Sequence, residues 1–265
     1  MYNLDDVKTF KCLCCGECCQ NFLSDEYRGK KIGEFAERNP FIMNPFIINL
    51  SDIYLPFFDW EVDDFLQELK KINSTRKIVP IKVSFDLKSE RTIVHKYTLD
   101  GQNCPFFSNN KCNIYEKRPI VCKQFPCMHD LSGLIAGQET KLYENTGCKF
   151  ERENELKHDL LKNNRDKGKL SGSEIISFFK KRYGDSLFYN LEGAAYGIRS
   201  NTFLINLEKE GKIKLARKGY NLKYLLKKID NSEAIGFSKL YEEITGNPRK
   251  SIYDMDSTKS YFSKY

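Results

Sequence analysis

Histidine and long apolar runs are scarce in this sequence, and both shortages limit what the protein can do. Only three histidines occur, namely His95, His129 and His158. None of them belongs to an HExxH motif or to a Ser/His/Asp arrangement, so zincin-type proteolysis and serine-hydrolase chemistry are not expected. No stretch approaches the roughly eighteen apolar residues that a membrane-spanning helix needs, so we expect no membrane association.

Signals for nucleotide cofactors and for secretion are also missing. The chain has no glycine-rich strand-to-helix turn of the P-loop or dinucleotide-binding kind, which argues against a Rossmann-type methyltransferase. Its first residues, MYNLDDVKTF, include two acidic residues and no apolar segment of a secretory signal. We therefore expect a cytoplasmic protein. Thiols are kept reduced in that compartment, so a dense cysteine pattern indicates a metal site more readily than disulfides.

Cysteine and charge both divide the chain near residue 150. All ten cysteines lie between Cys12 and Cys148, and residues 1–150 carry 20 basic and 20 acidic side chains. Residues 151–265 contain no cysteine and have 23 basic against 16 acidic side chains, so the formal net charge of +7 resides there. We predict a cysteine-rich domain over 1–150 and a basic helical region over 151–265.

Periodicity predicts an α+β fold. The segment WEVDDFLQELKKI, residues 60–72, has its apolar residues at helical spacing. Residues 81–99 contain two runs of alternating apolar and polar residues on either side of a polar turn at 86–90, which is typical of a β-hairpin. Prolines favour loops and short helical turns between Cys104 and Cys148. Beyond these, Ser171 and Glu174 resemble a capping box, and further apolar stripes indicate more helices. The clearest such stripe consists of Leu222, Leu225, Leu226 and Ile229. The segment LEGAAYGIRS, residues 191–200, is interpreted as a tightly packed helix segment or turn.

The first cysteine group lies in FKCLCCGECCQNF, residues 10–22. Cys12, Cys15 and Cys18 follow the spacing C-x2-C-x2-C, which lets a loop curl around a compact inorganic centre. Bacterial ferredoxins use this spacing for three ligands of a 4Fe-4S cluster, with a distant cysteine followed by proline as a cluster ligand. The same thiolates also suit zinc. Cys19 is assigned to a second centre or a bridging position, and Cys14 lies outside the repeat.

The second group reads CPFFSNNKCNIYEKRPIVCKQFPC and contains Cys104, Cys112, Cys122 and Cys127. Reduced thiols at this density, without a metal, would be prone to oxidation, so a shared metal site is the better interpretation. Cys104, which precedes a proline, and Cys148 are candidate remote ligands. Four basic residues lie among these cysteines, namely Lys111, Lys117, Arg118 and Lys123, and they can offset thiolate charge or be solvated. His129 is a further candidate ligand, although a hydrogen-bonded histidine is commoner.

These motifs together resemble the YkgJ-like CxxCxxCC family, described as a zinc- or iron-chelating domain. The resemblance spans about residues 10–148 and rests on the cysteine order, Gly16, and the pairs Ile114–Tyr115 and Arg118–Pro119. It implies nine candidate ligands: Cys12, Cys15, Cys18, Cys19, Cys104, Cys112, Cys122, Cys127 and, less directly, Cys148. The family is similar in its cysteine pattern to flagellin lysine N-methylases, which act with S-adenosylmethionine. The basic extension lies outside the resemblance.

The basic region suggests an acidic partner, although lysines on solvated helix faces give the same charge. Its clusters are Lys180-Lys181-Arg182, Arg217-Lys218 and Lys227-Lys228, with Tyr183, Tyr220 and Tyr224 nearby for base stacking. No nucleic-acid-binding motif accompanies them, so we expect only weak, salt-sensitive association with nucleic acid and favour a protein partner.

We therefore expect an α+β metalloprotein with an irregular cysteine-rich core, a β-hairpin and a helical C-terminal region. The leading hypothesis is an iron–sulfur cluster of the 4Fe-4S type with a redox or protein-modification role, and zinc is the alternative metal. Two alternative functions stay open. One is an S-adenosylmethionine-dependent protein lysine N-methylase, and the other is a zinc-stabilised interaction module that presents a basic surface.

Overall fold

The computed structural model describes residues 8–16, 19, 46–50, 56–101, 103–127, 149–150, 172–217 and 219–248. Their strands are β1 (Ile48–Asn49), β2 (Phe57–Phe58), β3 (Ile78–Asp86), β4 (Arg91–Leu99), β5 (Phe107–Ser108), β6 (Lys111–Cys112) and β7 (Ala234–Gly236). Their α-helices are α1 (Val62–Lys71), α2 (Ile120–Gln124), α3 (Gly172–Tyr183), α4 (Asp185–Lys209), α5 (Leu222–Asn231) and α6 (Phe237–Thr245). The fold is α+β, as predicted. No helix in these ranges is both long and apolar enough to cross a membrane.

The chain forms two compact units, each assembled from separate segments. Unit 1 comprises Met1–Gln20, Phe106–Gly197 and Asp254–Tyr265, and unit 2 comprises Asn21–Pro105 and Ile198–Tyr253. The two units are defined by which segments pack together, whereas the division predicted near residue 150 was drawn from cysteine and charge content. That division stays a prediction about how the chain is organised functionally.

Unit 2 is built around the β3–β4 hairpin, which confirms the hairpin prediction. The two strands pair antiparallel from Ile78 opposite Leu99 to Asp86 opposite Arg91. β1 pairs with β3, and β2 and β7 pair with different parts of the free edge of β4. The sheet is antiparallel except where β7 runs parallel to β4. A three-residue strand such as β7 has too little periodicity to be recognised in the sequence.

Helices cover the hairpin on both faces, so its side chains are buried on both. Val83 and Val94 are fully buried in a core cluster with Leu225 of α5. On the other face, the ring of His95 stacks on Phe237 of α6, with 5.8 Å between centroids. Burial on both faces explains why Ser84 and Thr98, polar residues of the alternating pattern, are also inaccessible to solvent.

The predicted amphipathic helices are present in unit 2. In α1, Phe65 and Leu69 are buried, while Leu66 and Ile72 from the predicted apolar stripe are more than one-third exposed. The stripe that contacts the core is therefore narrower than the sequence suggested. In α5, three of the four predicted residues are fully buried, namely Leu222, Leu225 and Ile229. Its N-terminus is capped by Asn221, whose side chain accepts a hydrogen bond from the Tyr224 N–H at 2.9 Å.

Unit 1 consists of short elements followed by long helices. β5 and β6 form a tight hairpin through Asn109 and Asn110, which both have positive φ, as asparagine tolerates. A 3-10 turn (Tyr115–Lys117) and the five-residue α2 follow, which confirms the predicted loops and short turns as far as Cys127. Residues 128–148, the rest of that prediction, lie outside the described residues. α3 and α4 supply most of the buried side chains. The segment 191–200 is helical within α4, while Ser171 of the predicted capping box lies outside the described residues.

Candidate metal centre

The first cysteine group is held in place by the residues just before it. The Phe10 N–H donates to the carbonyl of Arg182 at 2.7 Å, and Nη1 of Arg182 donates to the carbonyl of Lys8 at 3.1 Å. The Phe10 ring meets Phe150 edge-on, with 5.3 Å between centroids. Arg182, which is only 2% exposed, thus connects the end of α3 to the residues that lead into Cys12.

The backbone then curls, as the cysteine spacing predicted. Cys14 and Gly16 have φ of 51° and 76°, in the left-handed region. Gly16 adopts it without steric cost, whereas Cys14 does so at a cost of about 1 kcal/mol. The Cys19 N–H closes the curl by donating to the Gly16 carbonyl at 2.9 Å. The loop leaves Cys12, Cys14 and Cys15 exposed and Cys19 half-buried.

Three members of the second cysteine group, Cys112, Cys122 and Cys127, lie among the short elements of unit 1. Cys112 ends β6, and Cys122 lies within α2, where its N–H donates to the Pro119 carbonyl at 2.9 Å. Both side chains are half-buried, whereas Cys127 is fully buried. Helix α4 holds the end of this segment, because Asn190 donates to the Cys127 carbonyl and Ser186 Oγ donates to the Phe125 carbonyl.

A cavity of about 630 Å³ in unit 1 is lined by residues from both cysteine groups' segments. Three parts of the described chain form its wall. They are residues 9–12 and Cys14, several residues between 115 and 125, and the junction of α3 and α4. The residues are Thr9, Phe10, Lys11, Cys12, Cys14, Tyr115, Glu116, Arg118, Lys123, Phe125, Tyr183, Gly184, Asp185, Ser186 and Tyr189. Thiols of the first group therefore share a cavity with the segment that joins Cys112 to Cys127.

Cationic side chains in the cavity wall are held by aromatic rings. The Arg118 guanidinium lies 3.6 Å from the centroid of the Tyr115 ring, and its Nε donates to the Tyr115 carbonyl at 2.8 Å. Nζ of Lys123 lies 5.3 Å from the centroid of the Tyr189 ring. The thiolate is the form of cysteine that binds metal. This donor set of soft thiolates suits iron–sulfur clusters and zinc alike.

The structure brings most of the predicted ligands into one unit. Cys12, Cys15, Cys19, Cys112, Cys122 and Cys127 belong to unit 1, and the half-buried Cys104 belongs to unit 2. Cys18, Cys148 and His129 lie outside the described residues. All eight described cysteines are thiols. Among the described residues, no three side chains of histidine, cysteine, aspartate or glutamate are grouped closely enough to hold an ion. The ligand assignment therefore stays a prediction.

The sequence did not predict that the junction of α3 and α4 forms part of the cavity wall. Asp185 and Ser186 were not candidate site residues, and Tyr183 was a candidate only for base stacking, although Gly184, with φ of 52°, separates the two helices. Glycine before aspartate and serine is a recognisable helix boundary. That signal can locate a turn, but it carries no information about what the turn packs against.

The base-stacking cluster predicted at 180–183 is partly inaccessible. Arg182 and Tyr183 are only 2% and 4% exposed, because both side chains pack within unit 1. Neither can contact a nucleic acid while unit 1 is folded. Tyr220 and Tyr224 are exposed, as such a role would require.

Unit 2 contains a second group of perturbed side chains, without cysteine. Nε2 of His95 lies 2.8 Å from Ser84 Oγ, and burial, together with nearby Lys96 and Lys82, lowers the pKa of His95 to about 4. Lys82 and Lys96 are opposite each other in the β3–β4 register. Burial, with Lys82 nearby, lowers the pKa of Lys96 to about 8, and burial also lowers the pKa of Lys82. His95 is thus neutral at physiological pH.

No curated protein matches the chain, and no solved structure matches it. The similarity to flagellin lysine N-methylases therefore stays a prediction.

A family model matches residues 63–156, about a third of the chain. The matched range contains Cys104, Cys112, Cys122, Cys127 and Cys148, whereas the first cysteine group precedes it. The resemblance seen in the motifs is confirmed for this range, and it supports binding of zinc or iron without distinguishing them. The model that matches this segment is that of the CxxCxxCC family, described as "Putative zinc- or iron-chelating domain".

Proposed function

We propose that the protein binds iron as an iron–sulfur cluster, of the 4Fe-4S type, through its clustered cysteines. The observation that carries this proposal is the shared cavity, whose wall contains Cys12 and Cys14 together with the segment between Cys112 and Cys127. Cysteines of both groups, apart from Cys104, thus belong to one compact unit although they are far apart in sequence. The C-x2-C-x2-C spacing of the first group favours a cluster over a single ion.

Cys12, Cys15 and Cys18 would supply three cluster ligands, and a cysteine of the second group, or Cys148, would supply the fourth. When bound, such a cluster accepts and releases single electrons, which supports a redox role. Cys19 would serve a second centre or a bridging position, and Cys14 has no assigned role as a ligand.

Residues that are not ligands also contribute in this proposal. Arg182 and Phe10 hold the loop that carries Cys12, so that its thiols stay near the cavity. Removing the anchor should therefore weaken metal binding although Arg182 is no ligand.

Zinc is the second candidate, because the description of the matched family includes it. Thiolates at these spacings can also form tetrahedral zinc sites, which stabilise a fold without redox chemistry. In that case the protein would be a zinc-stabilised interaction module.

The metal can be identified from anaerobically purified full-length protein by elemental analysis, sulfide analysis and visible spectroscopy. We expect iron, inorganic sulfide and a brown colour, whereas a zinc protein is colourless. Cys15→Ser and Cys122→Ser should each lose metal and lower the melting temperature, because metal binding contributes directly to folding. Cys14→Ser, outside the repeat, is the matched control and should retain metal. Full metal occupancy and unchanged melting in both test variants would show that the ligand assignment is wrong.

We also propose that the protein works in the cytoplasm and contacts a protein partner through its basic C-terminal region. The support for the first statement is the high density of thiols, which a reducing compartment preserves. The support for the second is a set of exposed lysines, including Lys209, Lys214 and Lys223. An acidic protein partner should bind more weakly as salt is added, because surface charges are screened.

A further inference from the structure

The cavity in unit 1 is much larger than a metal centre requires. Its volume of about 630 Å³ falls within the range of about 300–1,000 Å³ that is typical of small-molecule sites. Among the described residues of its wall, Cys12 and Cys14 are the cysteines. The rest of the wall must therefore be explained by something other than coordination of a metal.

The charges in the wall favour an anionic ligand. Among the described residues of the wall, Lys11, Arg118 and Lys123 contribute three positive charges, against the two negative charges of Glu116 and Asp185. In the part of the chain that the structure describes, neither Arg118 nor Lys123 forms an ion pair with a carboxylate. A cation without a carboxylate partner in a cavity is available to an incoming anion.

Arg118 is oriented for such a contact before any ligand binds. Its guanidinium is stacked on Tyr115 and its Nε is already bonded to the Tyr115 carbonyl, which leaves its two terminal nitrogens for a bidentate contact. Lys123 is supported in a similar way by the Tyr189 ring. Preorganised donors reduce the entropy that is lost on binding.

Apolar surface in the same wall indicates that the ligand also has an organic body. Phe10, Phe125 and Tyr189 line the cavity, and they come from three separate segments of unit 1. An inorganic anion would not cover this apolar surface, whereas a flat apolar group would.

We propose that this cavity binds a small organic anion, in which a carboxylate or phosphate group contacts Arg118 and Lys123 and a flat apolar body contacts the aromatic wall. Such a molecule would lie beside the thiols of Cys12 and Cys14. This binding function goes beyond metal binding, and it does not depend on which metal the cysteines hold.

Isothermal titration on the full-length, metal-loaded protein tests the proposal with four defined probes. Benzoate and phenyl phosphate carry the two anionic groups, benzamide is a neutral analogue of benzoate, and inorganic phosphate lacks the apolar body. We expect at least one aromatic anion to bind, with benzamide and inorganic phosphate weaker by about tenfold or more. Whichever aromatic anion binds more tightly identifies the charged group.

Variants then locate the site. Arg118→Gln and Lys123→Gln should each weaken binding of the aromatic anion by about tenfold, because each removes one charge-assisted hydrogen bond. Lys111→Gln, on β6 and outside the cavity wall, is the matched control and should bind like the wild type. Metal content should be unchanged in all three variants, so that this test is separate from the cysteine test.

Several results would overturn the proposal. The first is the absence of binding by both aromatic anions at millimolar concentration. The second is benzamide binding as tightly as the tighter of the two aromatic anions, and the third is wild-type affinity in both Arg118→Gln and Lys123→Gln. Loss of metal from both of these variants would also refute it, since the two cations would then belong to the metal centre itself.

Discussion

Acidification should destabilise the protein through His95, whose ring lies between Ser84 on β3 and Phe237 on α6. Burial is the main reason that the pKa of His95 is lowered from 6.5 to about 4, and the positive charges of Lys96 and Lys82 add to it. An unfolded chain has no such environment. Near pH 6.5, His95 therefore binds a proton in the unfolded state but not in the folded state.

Between these two pKa values the unfolded state binds more protons, so the free energy of unfolding falls as the pH falls. Each pKa unit corresponds to about 1.4 kcal/mol. With a pKa of about 4 in the folded state, His95 should lower the free energy of unfolding by about 2 kcal/mol at about pH 5 and by about 3 kcal/mol at about pH 4. Its contribution is complete above pH 6.5 and does not change further at higher pH.

Urea unfolding of the wild type and of His95→Gln, at about pH 7.5 and about pH 5, isolates this contribution. Glutamine can still hydrogen-bond to Ser84, but it does not titrate. The wild type should lose about 2 kcal/mol more than the variant between the two pH values, since both share all other titrating groups. Equal losses would refute the argument that His95 is buried in the neutral form.

Two further predictions concern a buried carboxylate and the basic region. Asp59 accepts hydrogen bonds from the Ser238 N–H, at 2.6 Å, and from its hydroxyl, so Asp59→Ala should lower the free energy of unfolding by about 2 kcal/mol. Asp64→Ala, at an exposed position of α1, should change it little, and a similar loss in both variants would contradict the assigned role of Asp59. In a gel-shift series, nucleic acid should bind weakly at low salt and not detectably at about 150 mM salt. Tight, sequence-selective binding at that salt concentration would make nucleic acid a genuine partner.

Local patterns predicted much of unit 2 correctly. The alternation on either side of 86–90 identified β3 and β4, and helical spacing identified α1 and α5. Such patterns arise because the period of side-chain burial is set by backbone geometry. They did not predict β7 or the burial of both hairpin faces, since both depend on helices and strands more than a hundred residues away.

The cavity in unit 1 could not be predicted in the same way. Cysteine spacing and nearby cations identified one part of its wall, but the junction of α3 and α4 had no pattern that linked it to cysteine. Arg182 illustrates the difficulty, because in the sequence it belongs to a basic cluster typical of a surface. In the fold it is buried and hydrogen-bonded to Lys8, which is 174 positions away.

The sequence by itself determined the chemistry that this protein offers, namely many thiols at short spacings, with basic residues among them. That information is local, because ligand type and loop spacing depend on neighbouring residues. Only the tertiary structure decided that Cys12 and Cys14 share a cavity with Arg118 and Lys123, and that Arg182 anchors the first cysteine loop. These arrangements result from packing between distant segments, where burial of apolar surface from many residues decides which side chains meet.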